Sequence, residues 1–104
     1  MGRKKHITLV KEFKEKLNSK IKIDKMILFG SRASGKSHRW SDFDLLIVSK
    51  DFKDKDTFNR SSGFWLIWNQ DYPVDFLCYT NEEFNKLKNR VSIVREAVNT
   101  GVEV

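Results

Sequence analysis

The chain predicts a small α/β (α+β) domain: a mixed sheet of three to four strands with flanking helices, in the order α-β-β-α-β-α. Three observations carry this. Short apolar runs of strand length stand within 25–29, 42–48 and 74–79. Apolar residues recur at helical steps of three and four before the first run and after the third. Turn residues mark the boundaries, above all Gly30, Pro73 and Gly101. At 104 residues there is room for one domain with one modest core. Residues 1–104 are therefore read as a single unit, with 1–6 as a flexible basic N-terminal stretch.

The first helix is read over Thr8–Ser19, where Leu9, Val10, Phe13 and Leu17 share a face opposite lysines and glutamates. Lys25–Phe29 is the first strand, ending at Gly30. Asp42–Val48 is the second, with LLIV at its buried end. The charged stretch SKDFKDKD at 49–56 is a loop. Over Thr57–Gln70, the positions of Phe58, Phe64, Trp65, Ile67 and Trp68 fit a helix, while Gly63 and the FWLIW cluster leave a strand open. Val74–Tyr79 is the third strand. Thr80, with Glu83 three residues on, forms a capping box. The helix it opens carries Phe84, Leu87, Val91, Val94 and Val98. A break near Asn89–Ser92 can divide it, Gly101 closes it as a C′ residue, and Val102–Val104 can add a last short strand.

Composition narrows the function classes. No apolar run approaches the roughly 18–20 residues that span a bilayer, and MGRKKHITLV lacks the apolar core of a signal peptide. The expected compartment is the cytoplasm. The net charge of +6 and pI of about 9.6 favour anionic partners such as nucleotides, RNA or an acidic protein. The lysines are scattered, however, so a solvated lysine-rich surface is the plainer reading. Cys78 is the single cysteine and sits in the apolar VDFLCY run. It reads as a small buried side chain, with nothing beside it to activate a thiolate.

Residues 30–37, GSRASGKS, match the pattern of a P-loop. A P-loop needs a long helix after its lysine, because the phosphates rest on that helix's N-terminus. Here HRW and then SDFDLLIV follow Ser37. Too few residues remain for the helix of a parallel crossover. The GKS portion is read as a chance match.

Three acids offer other chemistry. Asp42 and Asp44 are two residues apart on a predicted strand, so they share a face. Two carboxylates there repel unless a cation lies between them, and a divalent metal meets that need. In the third strand, alternation puts Val74, Phe76 and Cys78 on one face and Asp75 on the other. The plainer alternative is that Asp42 caps a turn and Asp75 pairs with a lysine.

Taken together, Gly30-Ser31-Arg32-Ala33-x-Gly35, then Ser41-Asp42-x-Asp44-Leu45, then Val74-Asp75 resemble the nucleotidyltransferase superfamily of DNA polymerase beta. The chain looks most like its minimal nucleotidyltransferases. The pattern is G-S, ten residues, D-x-D, then an acid on a later strand, and positions 32–41 are those ten residues. The resemblance implies a polymerase-beta-like fold and a Mg2+-dependent transfer of a nucleoside monophosphate, AMP from ATP or another NTP, to a hydroxyl. It further implies that Asp42, Asp44 and Asp75 are the catalytic acids and hold two magnesium ions. Gly30 and Ser31 would bind the nucleotide phosphates, with Arg32 a further candidate whose alternative is a surface arginine packed on the helix. Two metals clamping the attacking and leaving oxygens suit such a displacement. The family often has arginine where this chain has Ser34; Lys36 or Arg39 could supply that charge.

Minimal nucleotidyltransferases lack a substrate-binding domain, and a partner supplies that surface. The resemblance implies a small helical HEPN protein, a ribonuclease toxin for which this chain would be the antitoxin, in a homo- or hetero-oligomer. Neutralisation could proceed by adding AMP to the toxin or by non-catalytic binding through an apolar patch of Phe64, Trp65 and Trp68. A further alternative is transfer to a small molecule such as an aminoglycoside, or to an RNA end.

Overall fold

The MILF and LLIV runs pair with one another. In the computed structural model, which describes residues 3–36 and 41–104, β1 (Lys25–Phe29) and β2 (Phe43–Val48) run antiparallel, with Lys25 opposite Val48 and Phe29 opposite Asp44. β3 (Val74–Tyr79) lies parallel to β2 on its other side, so that Asp44 faces Asp75. β4 (Val102–Glu103) pairs antiparallel with β1. The sheet order is β3-β2-β1-β4. β1 and β2 are its central strands and are covered on both faces, which is why they read as continuous apolar runs instead of alternating ones.

Helices lie on both faces. On one, α1 (Arg3–Asn18), α2 (Ser31–Ser34) and α3 (Phe64–Trp68) meet Met26, Leu28, Phe43, Leu45 and Ile47. On the other, α4 (Asn81–Leu87) and α5 (Ile93–Thr100) meet Ile27, Phe29, Leu46 and Val48. The larger core is held by rings. Phe13 packs edge-on against Trp68 at 5.5 Å and stacks on Phe76 at 5.4 Å. Each such contact contributes about 0.5–1.5 kcal/mol beyond the area it buries. Among the described residues no helix is long and apolar enough to cross a membrane.

The elements differ from the sequence reading in three places. α1 begins at Arg3 instead of Thr8, so Arg3–His6 are helical, and Met1 and Gly2 of the stretch read as flexible lie outside the described residues. The cause is His6, which is 1% exposed and extends the buried stripe Val10-Phe13-Leu17 by one turn. β2 starts at Phe43, leaving Asp42 just outside it. The helix expected over Thr57–Gln70 shrinks to the five residues of α3, preceded by 3₁₀ turns at Lys50–Phe52 and Thr57–Asn59. Gly63 (φ 82°) and Asn69 (φ 44°) are left-handed at its two ends and stop it. Phe64 and Trp68, four residues apart, point inward, and Trp65 and Leu66 point to solvent.

The second half holds more closely. Thr80 and Glu83 make the expected capping box, with the Glu83 amide donating to Thr80 Oγ1 at 3.2 Å and the Thr80 amide to Glu83 Oε1 at 2.8 Å. The predicted break separates α4 from α5. Gly101 closes α5, but in an extended conformation (φ −90°, ψ 178°) and not the left-handed one expected of a C′ glycine. Space explains it: a Cβ there would stand 2.5 Å from the Ala97 carbonyl and 2.6 Å from Ile27 Cγ2. The glycine lets the end of α5 reach β1.

Candidate active site

β1 ends at Phe29 and the chain turns at Gly30 (φ 77°, ψ −158°) into the single turn of α2, which closes at left-handed Gly35 (φ 81°). The next strand returns antiparallel. A P-loop requires a long helix and a parallel return, so the structure excludes it. Of the GKS portion, Lys36 is exposed, and Ser37, like Arg39, lies outside the described residues.

What this turn presents is backbone. The Gly30 carbonyl accepts from the Ala33 and Ser34 amides, both at 3.1 Å. The Ser31 and Arg32 amides open the helix, where no intrahelical acceptor reaches them. A Cβ on Gly30 would collide with Asp44 Oδ2. Glycine is therefore required twice, by its positive φ and by the close approach of the turn to the Asp44 carboxylate.

The acids follow from strand alternation. Asp44 precedes Leu46 and Val48 on the α4–α5 face, and Asp75 occupies the matching position of the neighbouring parallel strand. Phe29, Asp44 and Asp75 form one row across the sheet, and Gly30, the residue after Phe29, lies against Asp44. Asp42 and Asp75 are exposed and Asp44 is half-buried. Burial pushes the Asp44 carboxyl above its usual range, and the negative charges of Asp75, Asp42 and Glu96 push it the same way. Among the described residues the two ion pairs, Lys25–Glu103 and Arg60–Glu83, involve none of these three acids.

The edge is thus rich in negative charge. Among the described residues no three acid, histidine or cysteine groups stand close enough to form a metal cage by themselves. Magnesium rarely uses such a cage; it takes hard oxygens from one or two carboxylates and from substrate phosphates. The donor set at Asp42, Asp44 and Asp75 fits an ion that is held partly by a bound nucleotide.

Arg32 departs from expectation. Its side chain was a candidate phosphate contact, but the residue is 2% exposed and its guanidinium is turned inward. Nε and Nη2 donate to the Ser41 carbonyl at 3.1 and 2.7 Å, and Nη1 lies 3.2 Å from His6 Nε2. Only the Arg32 amide remains suited to a phosphate. Sequence reasoning also missed His6 and Glu96. His6 could have been found by extending the 10-13-17 stripe four residues back. Nothing local marks Glu96, on the first turn of α5, because only the packing of α5 brings its charge near Asp44.

Residues 10–102 match the nucleotidyltransferase domain family. The chain belongs to that family and is a nucleotidyltransferase. This nucleotidyltransferase is 32% identical over 103 residues to a candidate protein adenylyltransferase of Methanocaldococcus jannaschii, an alignment covering 94% of this chain and 97% of the relative. It also resembles the crystal structure of a candidate nucleotidyltransferase from Sulfolobus solfataricus, with a TM-score of 0.65 and 28% identity, covering 86% of this chain and 79% of the other. The expected superfamily and its mixed-sheet fold therefore hold for the nucleotidyltransferase described here.

Proposed function

We propose that this enzyme transfers an adenylyl group from Mg2+-ATP to a hydroxyl of a protein. The observation that supports it most is the row in which Gly30, the hinge of the phosphate turn, abuts Asp44, with Asp75 beside it. The backbone amides of Ser31 and Arg32, with the Ser31 hydroxyl, would take the phosphate oxygens. Asp42, Asp44 and Asp75 would hold magnesium, two ions when the site is full. When bound, the metal supplies positive charge that offsets the charge developing on the phosphate oxygens. Asp75 is exposed and accepts the proton of the attacking hydroxyl. The hydroxyl oxygen bonds to the α-phosphorus, the bond to the bridging oxygen breaks, and pyrophosphate leaves. The net charge of +6 aids capture of an anionic nucleotide.

The acceptor we propose is a helical HEPN-type protein, with this chain as its antitoxin. The name of the Methanocaldococcus relative, a protein adenylyltransferase, supports a protein acceptor. A second reading, neutralisation by binding alone, is favoured by one feature: Trp65 and Leu66 are 66% and 65% exposed side by side on α3. Phe64 and Trp68, grouped with Trp65 in the sequence reading, belong to the core and not to that patch. The two readings separate on incubation of the partner with labelled ATP and magnesium. Enzymatic neutralisation requires label on the partner and its loss in Asp42→Asn. If Asp42→Asn neutralises without labelling and Trp65→Ala does not neutralise, binding is the mechanism.

A further inference from the structure

Arg32 joins the two halves of the site, an inference that rests on the magnesium-nucleotide reading above. Its backbone belongs to the turn that faces the phosphates. Its side chain reaches nine positions along the chain to the carbonyl of Ser41, the residue immediately before Asp42, through two donors at 3.1 and 2.7 Å. The guanidinium lies over the rings of Phe43 and Tyr72, 4.7 and 5.1 Å from their centres. A buried arginine is costly without partners. A side chain needed only to fill this space would be apolar.

His6 fixes the arrangement. A guanidinium can only donate, so Nη1 donates to His6 Nε2 at 3.2 Å. That leaves the imidazole hydrogen on Nδ1, which donates to the Arg32 carbonyl at 3.2 Å. One neutral tautomer satisfies both contacts and grips Arg32 by its backbone and its side chain together. The imidazole is buried and packs edge-on against Phe43, with 5.4 Å between ring centres. α1, the phosphate turn and the strand that carries the acids are thereby tied at one point.

We propose that Arg32 and His6 form a positioning strut that keeps the phosphate turn in register with the Asp42–Asp44 edge, so that one magnesium-nucleotide is gripped by both. The two side chains touch no ligand; they act through Ser41 and the turn. Supporting residues of this kind commonly change metal affinity by about 10–100-fold when altered.

The experiment measures ATP affinity of the full chain by calorimetry with and without Mg2+, at a temperature where thermal melts show each variant folded. The quantity read is the ratio of the two affinities. Arg32→Lys keeps the charge but loses the fork, and the ratio falls about tenfold or more, while metal-free ATP binding changes less. His6→Phe lowers the ratio too. His6→Gln, which keeps one donor and one acceptor, restores it. A general loss of stability would weaken both affinities alike. The wild-type ratio in folded Arg32→Lys and His6→Phe overturns the strut. If Arg32→Lys does not fold, the two His6 variants decide. No Mg2+-dependent ATP binding by the unaltered chain overturns the functional reading, and the strut with it.

Discussion

Two arginines are buried among the described residues, and the two ends of the sheet hold them in opposite ways. Arg60 stands beside the C-terminal end of β3 and is given a carboxylate: its Nη1 and Nη2 donate to Glu83 at 2.6 and 3.2 Å, and Nη1 also to the Cys78 carbonyl at 3.2 Å. Glu83 in turn caps α4, so one ion pair ties a loop, a strand end and a helix start. Arg32, at the other end, is given a carbonyl and a neutral imidazole, although Asp42 immediately follows the residue whose carbonyl it holds. At the first end positive and negative charge cancel within the fold. At the second the arginine is kept off the acids, and Asp42, Asp44 and Asp75 retain a repulsion that a cation brought by substrate can relieve. One end closes an ion pair within the fold, and under the function proposed above the other is left open for a metal-bound nucleotide.

Substitutions at the two ends test that contrast. The largest effect is expected from Asp44→Asn. Transfer of label from ATP should fall at least about a hundredfold, the scale seen when one preorganised electrostatic group is lost. The urea midpoint should stay unchanged or rise, because a like-charge contact is removed. An Asp44→Asn chain that unfolds would mean that this end, too, is built for stability.

Gly30→Ala should come next, with a cost to both properties. The new Cβ meets the Asp44 carboxylate, and the residue keeps a φ of 77° that alanine resists. Destabilisation of about 1–3 kcal/mol, read by urea titration, is expected, together with loss of transfer. A fully stable, active Gly30→Ala chain would show that the turn and the acid do not need this approach.

The smallest effect is expected at the other end. Glu83 is partly exposed, so Glu83→Gln should cost about 1 kcal/mol or less and leave transfer intact. Its acid dependence has a defined sign. The hydrogen bond from Arg60 holds the Glu83 carboxyl below its ordinary 4.5. The pair therefore stabilises the fold above that value, and the contribution is lost as pH falls through the lowered one. Melts of wild type and Glu83→Gln should differ near neutrality and converge in acid. Curves that stay parallel to low pH would remove Glu83 as the cause.

Much of the fold was legible because its signals are local. The two apolar runs, the capping box from Thr80 to Glu83 and the break before Ser92 depend on neighbours within a few residues, and the structure keeps them. Asp44 and Asp75 lie on their strands as expected, Asp75 on the face opposite Phe76, while Asp42 lies just outside β2. The failures have one character. The Thr57–Gln70 periodicity was overridden by the backbone of Gly63 and Asn69, and the α1 start was hidden because histidine is not counted as an apolar residue. Gly101 was read as the residue that closes the helix, and the close packing of α5 on β1, which also requires it, was not visible.

Periodicity and turn signals mark most of the strands and helices and put Asp75 on the face opposite Val74, Phe76 and Cys78, because side-chain direction has a fixed period along each element. The placing of Asp44 opposite Asp75, the room that Gly30 leaves for Asp44 and the inward turn of Arg32 to Ser41 and His6 come from the folded chain alone. Those depend on strand register and on contacts between positions 26 residues apart, and no local pattern encodes them.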